Sequence, residues 1–147
     1  MFINRYGGNL MGKYTESNLI KNERVVLKAK KSFIAVFPHF INFLTSELAI
    51  TDKRVIGKVG LIRTHSVTSS LNKIQNVTVS SGLIGKIFNY GTIKIETAGS
   101  EPVKFYGIKN PEAFKKAVFA QMELFDQERV KEQAMQMAAA MSQAINR

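Results

Sequence analysis

The chain has 147 residues, and its composition of 45% hydrophobic and 22% charged residues is typical of a folded globular protein rather than a disordered or fibrous one. The absence of Cys excludes a disulfide framework, a thiolate metal site and a cysteine nucleophile. Lys and Arg outnumber Asp and Glu by 21 to 11, so the net charge of +10 favours a polyanionic partner, either nucleic acid or an anionic membrane surface.

The positive charge is unevenly distributed along the chain. Residues 111–147 carry five basic and five acidic side chains, whereas residues 1–110 carry 16 basic and 6 acidic ones. The whole excess therefore belongs to the first three quarters of the chain, and the C-terminal part is neutral.

The first elements are an arm, a strand and an apolar segment. Residues 1–18 have no clear period, and we predict an N-terminal arm that is either mobile or packs late. Residues 24–31 alternate Val25, Leu27 and Ala29 with neighbours that include two lysines, which predicts a strand with one solvated face. Residues 33–44 are mostly apolar but too few to cross a bilayer, which takes about 20 residues in a helix. We expect a buried strand or strand-turn there, or a segment lying in a membrane interface.

Short alternating runs follow, separated by turn residues. They predict six further strands, at 47–51, 54–59, 64–71, 75–81, 92–97 and 103–108. His65 is expected on the same side as Val67, and residues 82–90 are expected to form a short helical turn or broad loop held down by Leu83, Ile87 and Phe88. Seven closely spaced strands indicate an antiparallel sandwich or barrel.

After the last strand the period changes to that of an amphipathic helix. Asn110 is a predicted N-cap, and Pro111 suits the first helical position. Apolar residues then recur at helical spacing and continue past Asp126 in a pattern close to a heptad repeat, at Val130, Ala134, Met137, Met141 and Ile145. This second run either packs on the barrel, pairs with a partner or another subunit, or frays.

Four blocks of sequence resemble bacterial pleckstrin-homology-like domains, namely residues 47–60, 71–74, 82–95 and 108–114. The resemblance implies a mainly β fold with a C-terminal α element, in which a seven-stranded bent barrel or sandwich is capped by a long C-terminal amphipathic helix. It divides the chain into an arm at 1–18, the domain at 19–125 and a helical extension at 126–147. It also implies a binding or assembly module and not a reaction.

One difference from the family bears on location. Many relatives carry a transmembrane hairpin between the first strand and the block that starts at Glu47, but here residues 32–46 are too few for two spans. We therefore expect a cytoplasmic protein without a transmembrane span, at most peripheral at the inner face of the membrane.

The residues that carry chemistry are sparse and scattered. Neither His39 nor His65 has a neighbouring ligand at metal-binding spacing, and the carboxylates fall on different strands or turns. Gly82-x-x-Gly85-Lys86 lacks the spacing of a phosphate-binding loop. We expect no catalytic residue, no metal and no cofactor, and hence not an enzyme.

The basic residues are the main functional candidates. We expect weak contact with anions or lipid headgroups from Lys28, Lys30, Lys31, Lys53, Arg54, Lys58 and Arg63. The alternative is that these charges only solvate strand edges and discourage aggregation. Nucleic acid is a less favoured anion, for which Tyr90 and Tyr106 are the candidate stacking residues.

Together these observations predict a non-enzymatic intracellular binding or assembly module. Its basic barrel face is expected to contact anions or a membrane surface, and its C-terminal helix to contact a protein partner or a second copy. The alternatives are a purely protein–protein scaffold with incidental charge and a small nucleic-acid-binding β-barrel.

Overall fold

A computed structural model describes residues 13–30, 32, 47–60 and 64–147. In this part of the chain there are seven strands, three α-helices and one short 3-10 helix, so the predicted mainly β architecture with a long C-terminal helix is confirmed. In chain order the elements are α1 (Lys13–Ser17), β1 (Val25–Lys28), β2 (Glu47–Thr51), β3 (Arg54–Val59), β4 (His65–Ser70), the 3-10 helix (Leu71–Lys73), β5 (Ile74–Ser80), α2 (Leu83–Ile87), β6 (Tyr90–Thr97), β7 (Val103–Lys109) and α3 (Pro111–Ile145).

The strands form two antiparallel sheets. The first has the order β1-β2-β3-β4 and the second the order β5-β6-β7, so every strand pairs with its neighbour in sequence within its sheet. At the turn between β2 and β3, the Thr51 hydroxyl accepts hydrogen bonds from the amides of Lys53 (3.2 Å) and Arg54 (2.9 Å). A short polar side chain can close such a turn because its oxygen reaches the backbone two or three residues on.

The core lies between the two sheets and the start of α3. In β6 every second side chain is buried, as a strand with one face on the core requires. Phe105 of β7 fills the space above Gly57 of β3, where an added Cβ would lie only 2.5 Å from the ring. The buried apolar residues come from both sheets, the 3-10 helix and α3, and include Leu48, Ile50, Val55, Val67, Leu71, Val77, Ile93, Ile95, Phe105, Phe114 and Val118.

Helix α3 covers the core with its first turns and then leaves it. Phe114 and Val118 are buried, and Met122 and Phe125 pack against the core at its margin. All residues from position 126 onward are exposed. Asn110 precedes the helix as predicted, but its side chain makes no capping hydrogen bond, because Asn110 turns the chain in the left-handed region at φ 50°.

Helix α1, in the segment that precedes β1, covers the part of the outer face of the first sheet that β2 and β3 form. Ala49 and Ile56 alternate with core residues along β2 and β3, so their side chains point away from the core. Both are nevertheless fully buried. Helix α1 packs on these two strands with Thr15 buried, and the Thr15 amide donates to Glu47 Oε1 at 3.1 Å. The described part of the predicted arm is therefore packed on the sheet, and residues 33–44 lie outside the described residues.

The buried face of helix α2 differs from the one that the sequence predicts. A short helix does form within residues 82–90, but Leu83, Ile87 and Phe88 do not hold it down, since they are 82%, 76% and 49% exposed. The buried residue of the helix is Gly85.

Candidate anion-binding surfaces

The predicted basic residues do not form a single cluster. Lys58 of β3 pairs with Glu47, and Lys28 of β1 pairs with Ala49, which places both near the end of the sheet where β1 ends. Lys53 and Arg54 occupy the opposite end, since Arg54 lies four positions before Lys58 in β3, which is about 13 Å along the strand. Lys31 and Arg63 lie outside the described residues, so the described candidates divide between two ends of the sheet.

At the end where β2 turns into β3, Arg54 is held by a buried carboxylate. Its Nε lies 2.7 Å from Glu23 Oε1 and its Nη2 lies 2.8 Å from Glu23 Oε2, and Nη2 also donates to the carbonyl of Asn18. The Glu23 side chain is fully buried, while that of Arg54 is 19% exposed. The guanidinium is therefore engaged in joining the N-terminal segment to β3, and Arg54 drops out of the candidate site.

The environment of Glu23 keeps it ionised. Burial by itself raises the pKa of Glu23, but hydrogen bonds from Arg54, the Ile20 amide and the Thr51 hydroxyl, with the charge of Arg54, outweigh it and lower the pKa to about 2. The same hydrogen bond to Glu23 raises the pKa of Arg54 above its ordinary value. The pair is thus a fixed ionic link across 31 residues of sequence.

Two lysines at the opposite end contact α1 more loosely. Lys58 Nζ lies 5.4 Å from the centre of the Tyr14 ring, a cation–π contact. Lys28 Nζ lies 3.5 Å from Glu16 Oε1, with the two side chains 44% and 68% exposed. Exposed pairs of this kind contribute little, so the Lys28 ammonium remains accessible to another anion.

A groove of about 330 Å³ brings Lys28 together with two further lysines. The segment after β1 runs beside β7, because the Lys109 amide donates to the Lys30 carbonyl at 2.7 Å and the Ser32 amide to the Gly107 carbonyl at 2.8 Å. All of the lining residues are described, and none is Asp or Glu; they are Leu27, Lys28, Lys30, Lys109, Asn110, Ala113 and Phe114. We call this the lysine groove.

Lys109 was not among the predicted residues. It lies 79 positions after Lys30 in sequence, and the backbone bonds between the segment after β1 and β7 bring the two side chains to one groove. Neither Lys30 nor Lys109 has a carboxylate partner among the residues that the structure describes. No pattern in the sequence links Lys109 to the end of β1.

A second groove is polar and contains the described histidine. It has a volume of about 460 Å³ and is lined by β3, β4 and β7 together with the turn before β7. His65 shares the Val67 side of β4 by strand alternation, but it is exposed, because it begins β4 opposite half-buried Val59, at the end of the strand. Within the described residues, no three His, Asp or Glu side chains gather into a metal-binding cluster.

The two candidate stacking tyrosines lie on neighbouring strands of the second sheet, Tyr90 in β6 and Tyr106 in β7. Tyr90 is half-buried and pairs with Lys109, whereas Tyr106 lines the polar groove with His65.

The predicted apolar positions of the C-terminal extension are all exposed. Val130, Met137 and Met141 are 65%, 67% and 66% exposed, and Ile145 is 83% exposed, with Ala134 exposed between them. No described residue of the barrel covers this part of α3, so packing on the barrel is not the arrangement in the described part of the chain.

Comparison with known proteins identifies the domain to which these features belong. A family model described as Bacterial PH domain matches residues 20–122, which is 103 of the 147 residues. No curated protein and no solved structure matches the chain. Among the helices of the described residues, none combines the length and the apolar character that crossing a membrane requires.

Proposed function

Since the chain belongs to the bacterial PH domain family, we propose that it is a binding module and not an enzyme, and that its lysine groove contacts anionic groups at a membrane surface. The observation that carries this proposal is the convergence of Lys28, Lys30 and Lys109 in one groove with no acidic lining residue. The proposal places the protein at the inner face of the membrane as a peripheral component.

The expected strength of this contact follows from the number of lysines. Each lysine close to an anionic membrane contributes about 1 kcal/mol, so the three groove lysines together contribute about 3 kcal/mol. Contact of this strength is weak and reversible. Because exposed charges are screened when the Debye length falls from about 10 Å at 0.1 M salt to about 3 Å at 1 M, binding should weaken strongly over that range.

The test is sedimentation of the full chain with vesicles of phosphatidylglycerol or of phosphatidylcholine. We expect binding to the anionic vesicles at low salt and none to the neutral ones. A variant with Lys28→Gln, Lys30→Gln and Lys109→Gln should lose most of it. The matched control, Lys73→Gln with Lys104→Gln and Lys131→Gln, removes the same charge from exposed lysines outside the groove. Equal losses in the two variants would reduce the proposal to a non-specific effect of net charge.

We propose a second role for the exposed half of α3, as a contact for a protein partner or a second copy. The supporting observation is its row of exposed apolar side chains, which no described part of the barrel covers. Because most helical stability in proteins comes from packing of an apolar face, a partner that covers these side chains would stabilise this half of the helix.

Light scattering tests the self-association part of this role. A variant with Val130→Gln, Met137→Gln and Met141→Gln should scatter as a smaller particle than the parent chain. The control Gln133→Ala with Gln136→Ala changes exposed polar positions of the same helix. A parent chain that is already monomeric leaves a different protein as the only partner for this surface, and a pull-down then decides.

The same measurements separate the alternatives. A chain that self-associates but ignores anionic vesicles is a protein–protein scaffold with incidental charge. A chain that binds a single-stranded oligonucleotide more tightly than vesicles, and loses this on Tyr90→Ala or Tyr106→Ala, is a nucleic-acid-binding barrel.

A further inference from the structure

Among the residues that the structure describes, the densest group of exposed large apolar side chains lies on and directly after helix α2. Leu83, Ile84, Ile87 and Phe88 are 82%, 60%, 76% and 49% exposed, and they lie within six consecutive residues. We call these four side chains the apolar tip. Soluble monomers rarely leave contiguous apolar patches in water, and such patches often mark a surface for a protein or a membrane.

The tip points outward because α2 is anchored by its backbone. Gly85 is buried against the carbonyl of Tyr90, where an added Cβ would lie 2.5 Å from the oxygen. Asn89 then turns the chain at φ 53°, and its carbonyl accepts the Asn110 amide at 2.8 Å. The glycine face of the helix is thus fixed to the sheet, which leaves the opposite, apolar face with no part in holding the helix.

Lysines lie on α2 and on the segment to which its end is bonded. Lys86 is exposed on α2 itself, and the bond between Asn89 and Asn110 joins the end of α2 to the residue that follows Lys109 of the lysine groove. Glu112, which lines a small depression with Lys86, is the acidic residue facing this region among the described lining residues. Four lysines, those of the groove and Lys86, therefore lie on the elements joined by this bond, against two carboxylates, Glu112 and the Glu16 that pairs with Lys28.

This combination matches an anionic bilayer better than a protein groove. Apolar side chains that enter the boundary between headgroups and acyl chains gain from burial, while neighbouring lysines meet the phosphates. A helix of five residues is too short to supply the repeated i, i+3, i+4 and i+7 anchors with which helices dock into protein grooves.

We propose that Leu83, Ile84, Ile87 and Phe88 insert into the interface of an anionic membrane when the lysine groove contacts its surface. The inference rests on the proposed function and deepens it. Burial of apolar side chains adds a contribution to membrane binding that persists at high salt, where the contribution of the lysines is screened.

The first test uses the absence of Trp from the chain. Phe88→Trp introduces a unique indole at the tip, and Leu124→Trp introduces one at a similarly exposed site about 20 Å along α3. With phosphatidylglycerol vesicles, the Phe88→Trp emission should shift to the blue and be quenched by brominated acyl chains. The Leu124→Trp emission should do neither.

The second test removes the tip without touching the core. Ile84→Ser with Ile87→Ser should weaken vesicle binding about tenfold at 1 M salt, where the lysines are screened, and leave the melting temperature unchanged. The control Ile20→Ser with Leu124→Ser alters two side chains that are each 53% exposed elsewhere. Its vesicle binding should equal that of the parent chain.

The outcomes distinguish the two proposals. Binding of the parent chain with an unshifted and unquenched Phe88→Trp overturns insertion and leaves the lysine groove standing. No binding of the parent chain to phosphatidylglycerol vesicles at either salt concentration overturns both. A change in oligomeric mass, rather than in vesicle binding, on Ile84→Ser with Ile87→Ser would make the tip a contact between copies and overturn insertion.

Discussion

The two ends of the first sheet put similar basic residues to different uses. At one end Arg54 lies against the buried carboxylate of Glu23 and is bonded through both nitrogens that face it. At the other, Lys28 and Lys30 lie in a groove with Lys109 and no acidic neighbour in its lining. The difference between these cations is that the fold brings a buried carboxylate to Arg54, whereas the one carboxylate beside Lys28, that of Glu16, is exposed. A charge count therefore cannot separate a structural cation from one that is available to a ligand.

The largest expected effect comes from breaking the structural end. Glu23→Gln leaves the Arg54 charge without its partner in a largely buried place and should lower the free energy of unfolding by about 3 kcal/mol. Denaturation with urea measures it. The control Glu16→Gln removes an acid of the same charge that is exposed, and an equal loss in both variants would mean that the buried pair has no special role in stability.

The free energy of unfolding should depend on pH through the same pair, Glu23 and Arg54. The pKa of Glu23 is about 2 in the folded chain against 4.5 for an ordinary glutamate, so the folded state favours the ionised form. Its contribution of about 3 kcal/mol is therefore complete above pH 4.5 and is lost as the pH falls towards 2. Urea denaturation between these limits should show a steep decline in the parent chain. A Glu23→Gln chain with the same slope would assign that decline to other carboxylates.

Substitutions in the lysine groove should weaken vesicle binding and leave the free energy of unfolding unchanged. Lys30→Gln should weaken sedimentation with phosphatidylglycerol vesicles about fivefold, because one lysine near the surface contributes about 1 kcal/mol, and should leave urea denaturation unchanged. Arg54→Gln should show the reverse, with lower stability and unchanged vesicle binding of the folded chain. If both substitutions weakened binding equally, the two ends of the sheet would be one surface.

The smallest effect is expected at the loose pair between α1 and β1. Glu16→Gln removes the carboxylate 3.5 Å from Lys28 Nζ and should change the free energy of unfolding by less than about 0.5 kcal/mol. Vesicle binding should rise, by at most about fivefold, because a negative charge beside the groove is removed. A fall in vesicle binding would mean that Glu16 orients Lys28 for its ligand.

Most of the fold could be predicted because its signals are local. Alternation along β6, the turn at Asp52 and Lys53 and the helical period from Phe114 to Phe125 each depend on residues close in sequence, and the structure has these elements where the patterns indicate. The family resemblance added the arrangement, and the match over residues 20–122 confirms it.

The candidate site was harder to predict from the sequence, because its residues come from distant positions in the chain. The bond of Arg54 to Glu23 spans 31 residues, and the backbone bond of Lys30 to Lys109 spans 79. The orientation of α2 was predicted in the wrong sense, since apolar residues at helical spacing ordinarily mark the buried face. Here the contact of Gly85 with the Tyr90 carbonyl decides the buried face instead.

By itself the sequence determined most of the elements, the family and the confinement of the net positive charge to residues 1–110, because propensity, periodicity and composition are properties of neighbouring residues. Only the tertiary structure decided which cation is neutralised, which lysines meet in a groove and which face of α2 meets solvent. Those outcomes depend on the distances between groups far apart in the chain, and electrostatic attraction, burial and steric exclusion act through those distances.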